Sequence, residues 1–545
     1  MPLRERAADD LARWLRQVLP AGAGLRCDSR RVQAGDAFFA YPGAQQDGRD
    51  HIPAALARGA AALVVEAGAL GEARCGGPQT LVAQEALQAL AASSVGAVPV
   101  REVTGLKALC GPTASRFHED PSDALTVIAV TGTNGKTSCT QWIAQGLEHL
   151  GMPCGVMGTL GVGRPDAPLH DTGLTTPDAL EVQAAMARLR AAAPGGAVAI
   201  EASSIGLVQH RLAGTRIAVA VFTNLTRDHL DHHGTMQAYA QAKALLFAWP
   251  DLQAAVINLD DPWAKAMLDA LPAEVPCIGT SQADATSPSR RALRRLSARD
   301  VHQGPEGMTL TLCGDFGEAR LQTTLIGEHN VANLLSVAGA WLALGHPLVR
   351  CVDALGRLEP VPGRLERIRL TEPADASHRV QPDDARRGLP LIVVDYAHTP
   401  DALDNVLKAL RPLARARAGQ VWCVFGAGGD RDPGKRPQMA AVADALADRV
   451  VLTSDNPRSE PPARILEDLL RGLTRSAALC EPDRARAIDW AVQQAQAADL
   501  ILIAGKGHET YQEVLGERRP FNDAAQAREA LARRAQRAGS GSLHA

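Results

Sequence analysis

Short apolar runs punctuate this chain, each followed by a polar or glycine-rich cluster and then by an amphipathic stretch of helical period. The clearest runs are 125–130, 197–200, 217–222 and 255–257, then 391–394, Val421–Phe425, 450–453 and Leu500–Ala504. Continuous apolar runs read as strands buried on both faces. Their alternation with helices predicts parallel sheets covered on either side. An earlier block carries an amphipathic N-terminal helix in MPLRERAADDLARWLRQVL, a helix-like 52–58 and the strand Ala62–Glu66. The pattern therefore predicts an α/β protein of three domains. A small α/β domain covers 1–121, a central parallel-sheet domain 122–362, and a C-terminal Rossmann-like domain 363–545, with Val361-Pro362-Gly363 as a hinge. The polar stretch 284–299 has weak periodicity and is expected to be a surface excursion. The tail 538–545 is expected to be disordered.

Composition narrows the class. The chain has 545 residues, a net charge of −3 and 21% charged residues, which offers no footprint for nucleic acid or an acidic membrane surface. No run approaches the roughly 18 apolar residues of a membrane span, and the N-terminal helix lacks the apolar core and cleavage site of a signal peptide. Ten cysteines without a Cys-x-x-Cys pair suit a reducing cytosol better than a disulfide or zinc framework. A cytoplasmic protein is expected.

The polar clusters fall at the C-terminal ends of the predicted strands: TGTNGKTS, EASS, TNLTRDHLDHHG, DYAHTPD, GAGGDRD, SDNPR and GKGHE. In open α/β sheets ligands bind at that edge, so the second and third blocks are expected to face one cleft. TGTNGKTS (131–138) follows an apolar run directly and resembles a phosphate loop. Backbone N–H groups and a helix N-terminus face the anion, Lys136 adds a point charge, and the Thr137 hydroxyl suits Mg²⁺. The spacing is short, with two residues between Gly132 and Gly135 where the usual loop has four. A plain Gly/Asn turn is the competing reading, and the strand–loop–helix context favours nucleotide.

Glu201 follows a strand, as the carboxylate that holds Mg²⁺ beside a phosphate loop does. A capping Glu/Ser set is the alternative. The cluster Asp228, His229, Asp231, His232 and His233 lacks zinc spacing and reads as a capped loop with at most one residue on a metal. Lys243, on a helix starting near Thr235, reads first as a solvated lysine. Asp395 suits a ribose or its metal, or a helix N-cap. Arg431, Lys435 and Arg436 suit phosphates or carboxylates, or a solvated turn. Arg458, beside the turn former Asn456-Pro457, is a fork for a carboxylate or plain surface.

Taken in order, these segments resemble the Mur ligase family, ATP-dependent amide-bond-forming enzymes of peptidoglycan synthesis, and within it the diaminopimelate-adding members. DSRRVQAGDAFFA, GTNGKTS, TTPDAL, EASS–GLVQHR, FTNLTRDHLDHHGT, YAQAKALLF, GEHNVANLL, PGRLE, DYAHTPDAL, GAGGDRDPGKRP, DNPR and GKGHE lie where that family has them. Each is weak alone; the ordered set is specific, and the shortened phosphate loop is the family's form.

The resemblance implies that ATP lies on Gly132, Thr133, Asn134, Gly135, Lys136, Thr137 and Ser138, with Asn330, Arg364 and Asp395. It implies a Mg²⁺ shell of Thr137, Glu201, His229 and Lys243. The matching lysine is carbamylated, so Lys243 becomes a carboxylate-like ligand, and Lys136, Lys243 and His229 are the catalytic set. The N-terminal domain binds the uridine of UDP-MurNAc-L-Ala-D-Glu through Cys27, Ser29, Ala44, Gln45 and Gln46. Thr175, Thr176, Ser203, Gln209 and Arg211 take its muramoyl peptide. The meso-diaminopimelate contacts are Arg431, Asp455, Asn456, Pro457, Arg458, Gly505 and Glu509. Arg458 pairs with the distal carboxylate that distinguishes this amino acid from lysine. A monomer acting on small molecules is expected.

Two positions depart from the family. Ile205 stands where a His is frequent, and His232 where an aromatic residue is common. Folylpolyglutamate synthase, the sibling alternative, lacks the N-terminal DSR module and the DNPR turn. A P-loop switch that makes no bond leaves DNPR and GKGHE unexplained.

Overall fold

The computed structural model describes residues 3–43, 46–67, 98–282, 293–304, 307–370 and 388–541. Close packing divides the chain into two compact units. One is Met1–Ser297 with Gly314–Phe316 and Ser336–Ala354; the other is Ala298–Cys313 with Gly317–Leu335 and Leu355–Ala545.

The first unit holds two sheets. The N-terminal one is parallel, ordered Leu25–Arg26, Ala37–Ala40, Ala62–Glu66, Val100–Val103. Its core of Leu11, Leu15, Phe39, Val64 and Cys110 takes in Ala179 and Leu180 from the helix Ala179–Ala192 of the next block. That shared core explains why the first two blocks pack as one body.

In the second sheet Thr126–Thr131 lies between Ala197–Glu201 and Val219–Phe222, all parallel. Ala254–Asn258 and Cys277–Ser281 extend it on one side, Cys154–Gly158 and the antiparallel Gly161–Gly163 on the other. The three central strands are almost wholly apolar and buried, as strands covered on both faces must be. The phosphate-loop strand thus has EASS on one flank and TNLTRDH on the other.

The second unit carries a six-stranded sheet ordered Glu366–Ile368, Leu391–Asp395, Leu500–Ala504, Val421–Phe425, Arg449–Leu452, Leu479–Cys480. Only the first pair is antiparallel. Alternate residues of each strand feed opposite cores. Val393, Cys423 and Leu502 meet the helices Pro400–Ala416 and Lys435–Leu446; Ile392, Val424 and Ile503 meet Arg484–Gln494 and Asp523–Gly541. A separate hairpin, Tyr511–Val514 with Glu517–Pro520, follows the last strand.

Two expectations are corrected. Within 284–299, the described part from Arg294 belongs to the strand Arg294–Gly304, whose start pairs with Ile278–Ser281. Leu296 and Ala298 point inward while the flanking arginines are exposed, so two small apolar contributions leave little periodic signal. The tail is helical to Gly541, because Ala524, Ala527, Ala530 and Leu531 give its helix a buried stripe to grow from. Among the described residues no helix is long and apolar enough to cross a membrane.

Candidate active site

Gly135, in a left-handed conformation (φ 84°), ends the phosphate loop and starts the helix Lys136–His149. The loop is braced from the neighbouring strand end. Asn134 N–H donates to Asn224 Oδ1 (2.9 Å), Thr223 Oγ1 donates to Asn134 O (2.6 Å), and Thr226 N–H donates to Thr133 Oγ1 (3.0 Å). Lys136 Nζ folds over the loop, donating to Gly132 O and Thr133 O at 2.9 Å each. Thr137 and Ser138 are buried at the helix start, where N–H groups lack intrahelical acceptors.

A Cβ on Gly132 would collide with Thr223 Oγ1. Gly132→Ala is therefore expected to destabilise the chain by about 1–3 kcal/mol and to weaken nucleotide binding. Thermal melts and calorimetry with ATP check this; wild-type affinity would contradict it.

Lys243 is not solvated. Only 1% of it is exposed, its Nζ donates to Gly132 O at 2.7 Å, and it lies 4.5 Å from the Tyr239 ring centroid, one helical turn back. Burial, with Lys136 close by, pushes its pKa well below the ordinary lysine value; Asp228 opposes this. The helix Met236–Ala244, capped by Thr235, presents both side chains to the loop because i and i+4 share a face. Tyr239 reaches back through its hydroxyl to Thr133 Oγ1 (3.2 Å) and stacks on His233 (5.1 Å).

His229, at φ 51°, opens the short helix Leu230–His233 and meets Tyr239 edge-on at 6.1 Å. Burial lowers its pKa, with Lys136 and Lys243 acting the same way and Asp228 opposing, which favours the neutral ring. His233 Nε2 lies 2.9 Å from Ser204 Oγ.

On the other flank Glu201 is 1% exposed, and its carboxylate accepts from Thr159 N–H (2.8 Å) and Oγ1 (3.2 Å). Thr159 Oγ1 also lies 3.2 Å from Thr175 Oγ1, whose hydroxyl can donate to it. Thr176 Oγ1 donates to Glu201 O (2.7 Å) and lies 2.9 Å from Ser203 Oγ, which caps the helix Ser204–Val208. Arg211 Nη1 donates to Thr176 O (2.7 Å), and its guanidinium grips Gln209 Oε1. The structure thus brings Thr175, Thr176, Glu201, Ser203, Gln209 and Arg211 into one network. Ser203 does cap a helix, as the modest reading of EASS had it; Glu201 does not.

In the N-terminal sheet, Cys27 and Asp28 line a small cavity with Leu25, Arg26, Arg31, Asp178 and Glu181. Burial and the Asp178 carboxylate push the Cys27 thiol pKa up, which disfavours the thiolate. Ser29 is buried in the following 3₁₀ turn, Ser29–Arg31. Gln46 is exposed, with its carbonyl accepting from Gly43 N–H. Ala44 and Gln45 lie outside the described residues.

In the second unit, Asn330 opens the helix His329–Ala343; its Nδ2 donates to Ile326 O (2.7 Å) and its Oδ1 accepts from Asn333 (2.9 Å). Arg364 lies over the Tyr396 ring at 4.7 Å. Asp395 is no N-cap: Thr399 caps the next helix, and Asp395 accepts from Leu365 and Ala397 N–H at 2.8 Å each. Burial raises its pKa against the pull of Arg364.

Asn456 is 2% exposed and donates to Glu509 Oε2 (2.8 Å). Lys506, wholly buried, donates to the same Oε2 (2.7 Å) and to Asn456 Oδ1 (3.0 Å). Neither engages Glu509 Oε1. Asp455 abuts Gly505, where a Cβ would strike its carboxylate. Pro457 is buried in the same turn. Arg458, at φ 52°, pairs by its backbone with Glu513 and Leu515 of the hairpin and donates from Nη1 to Gly429 O (2.8 Å). Arg431 is exposed nearby in sequence. Arg436 is not on a solvated turn: its guanidinium is buried, with Nη1 and Nη2 paired to the carboxylates of Glu460 and Asp468.

Sequence reading passed over Asn224, Thr159, Tyr239 and Lys506. Tyr239 was findable, four residues before Lys243. Thr159 carries no signal, since its role exists only once two strands are neighbours.

The model of the Mur ligase middle domain matches residues 130–341, that of the Mur ligase family catalytic domain 23–103, and that of the Mur ligase glutamate ligase domain 378–507. An Acidovorax sp. protein called UDP-N-acetylmuramoyl-L-alanyl-D-glutamate–2,6-diaminopimelate ligase is 47% identical, over 96% of each chain. A Ralstonia nicotianae protein of that name is 45% identical over 96% of this chain and 95% of its own. A solved structure of a ligase so named superposes with a TM-score of 0.59 at 36% identity, over 94% of each chain. The three-domain α/β architecture is shared with it. The chain belongs to the Mur ligase family.

Proposed function

We propose that this chain is the ATP-dependent ligase that joins meso-2,6-diaminopimelate to the D-glutamate of UDP-MurNAc-L-Ala-D-Glu in peptidoglycan precursor synthesis. The observation that carries this reading is the end-to-end similarity to relatives named for that reaction, at 47% identity. Supporting it are the braced phosphate loop in one unit and the Asn456–Lys506–Glu509 network in the other.

The D-glutamate carboxylate oxygen attacks the γ-phosphorus of ATP, the bond to ADP breaks, and an acyl phosphate forms. The amine of diaminopimelate then adds to the acyl carbon, loses a proton, and the tetrahedral intermediate expels phosphate. Both steps crowd negative charge, and preorganised cations and N–H groups lower their barriers. The loop amides and Lys136 hold the departing phosphates, with Asn330, Arg364 and Asp395 assigned to the nucleotide. Thr175, Thr176, Ser203, Gln209 and Arg211 hold the muramoyl peptide, and Cys27, Ser29 and Gln46 its uridine. Arg458 and Arg431 meet the carboxylates of diaminopimelate, and Glu509 its ammonium. The domain limits 1–121, 122–362 and 363–545 belong to the same reading.

Mg²⁺, when bound, would neutralise the phosphate oxygens. Among the described residues no three His, Cys, Asp or Glu side chains converge to hold a metal. The donors that fit are the Thr137 hydroxyl, the Glu201 carboxylate and His229, which suits an ion that keeps waters and phosphate oxygens in its shell. Lys243 completes the set as a carbamate: its uncharged amine bonds to CO₂ and releases one proton, turning a cation into an anion where an anion is needed. Its deep burial supports this, since a neutral amine is the form that reacts.

The test is phosphate release from ATP with UDP-MurNAc-L-Ala-D-Glu, comparing meso-diaminopimelate with L-lysine. Release is expected to depend on the amino acid and to favour meso-diaminopimelate. Equal or faster turnover with lysine would refute the choice of amino acid. Release independent of any amine would refute the ligase.

A further inference from the structure

Arg484 and Asp523 form an ion pair in which both side chains are wholly buried. Nε and Nη2 of Arg484 donate to the two carboxylate oxygens of Asp523 at 2.7 Å each. The same guanidinium donates from Nη1 to Ser454 O (3.2 Å) and from Nη2 to Ala504 O (2.9 Å). Ser454 directly precedes Asp455, and Ala504 directly precedes Gly505. The two carbonyls lie at the C-terminal ends of Arg449–Leu452 and Leu500–Ala504, strands separated by Val421–Phe425. No backbone hydrogen bond of the sheet links them directly; the guanidinium does. Each ion opens a helix, Arg484–Gln494 and Asp523–Gly541. The family model of this region ends at residue 507, so Asp523 lies beyond it.

A buried ion pair is near neutral for stability compared with a packed apolar pair, because desolvation offsets attraction. What a planar, five-donor fork adds is geometry. Here it spans two strand ends whose next residues approach closely, since a Cβ on Gly505 would strike the Asp455 carboxylate. The chain beyond those ends carries Asn456, Arg458, Lys506 and Glu509.

We propose that Arg484, with Asp523 as counterion, is the positioning residue that holds the 455–458 turn and the 505–509 loop in register, and so sets the selection of the amino-acid substrate. This rests on the reading that those two segments take diaminopimelate. Lysine at 484 would keep the charge but lose the fork, because one ammonium cannot meet two carbonyls and a carboxylate in one plane.

The experiment measures KM for each of the three substrates, and the kcat/KM ratio of meso-diaminopimelate to L-lysine, in full-length Arg484→Lys. KM for meso-diaminopimelate is expected to rise roughly tenfold or more and the ratio to fall. KM for ATP and for UDP-MurNAc-L-Ala-D-Glu should stay within about twofold, as misplacement confined to one pocket requires. The double variant Arg484→Met/Asp523→Leu removes both charges together and is expected to fold and to show the same pattern. An unchanged KM and ratio in either variant that folds would overturn the proposal. Loss of folding in both would also overturn it, by marking the pair as purely structural. Arg458→Met separates the two layers. If it leaves KM for meso-diaminopimelate unchanged, the pocket assignment fails. If it raises that KM while Arg484→Lys does not, only the clamp fails.

Discussion

Replacing Lys243 by alanine is expected to slow ligation by roughly 100- to 1,000-fold, the loss seen when a preorganised charge-stabilising group is removed. The variant loses the donor to Gly132 O, one buried hydrogen bond costing about 1–3 kcal/mol, so the fold should survive with a lowered melting temperature. The cavity left beside Tyr239 and the phosphate loop has the size of a side chain. Formate or acetate added to the assay is therefore expected to restore part of the rate, standing in for the anionic end of the carbamate. Parallel assays with and without acid, beside calorimetry of ATP binding, make the check. Failure of every short acid to rescue a folded, ATP-binding variant would remove the support for a modified lysine. A Lys243→Arg control separates charge from chemistry, since guanidinium cannot become a carbamate. Full activity in that variant would also argue against it.

Arg458→Met carries the second large effect. Removing one partner of a charged, hydrogen-bonded pair costs about 2–5 kcal/mol, much of it from the substrate carboxylate left unpaired. The kcat/KM for meso-diaminopimelate is expected to fall accordingly, while L-lysine, which lacks that carboxylate, should lose little. The preference between the two amino acids is the informative quantity, because a general loss of stability lowers both alike. A parallel fall for both would mean that Arg458 serves the turn and not the substrate. Arg458 Nη1 holds Gly429 O, and its backbone is pinned by the hairpin.

Much of this architecture is legible in the sequence. Val421–Phe425 and Leu500–Ala504 are strands with the limits read from their apolar runs, because a strand buried on both faces leaves no polar residue to blur its ends. The stretch from Arg294 was missed for the opposite reason. A strand exposed along much of its length, with Arg294, Arg295 and Arg299 in water, resembles a loop. The hairpin Tyr511–Pro520 was missed likewise, with every residue of it at least partly exposed.

The site divides along similar lines. By itself the sequence determined which residue types stand in which order: a glycine-rich loop with Lys136 and Thr137, a carboxylate at Glu201, a lysine at 243, an arginine at 458. Those follow from local chemistry, since a phosphate cradle or a turn is built from consecutive residues. Tertiary structure alone decided that Lys243 is buried against Gly132 O and not solvated, that Thr159 holds Glu201, and that Arg436 is spent on Glu460 and Asp468. It also decided that Arg484 joins two strand ends 50 residues apart, from Ser454 to Ala504. The physical reason is that charge and hydrogen-bonding capacity belong to a residue, whereas burial and partners belong to the neighbours that folding brings to it. A lysine reads as solvated until the carbonyl of a distant loop and a tyrosine ring take the place of its water.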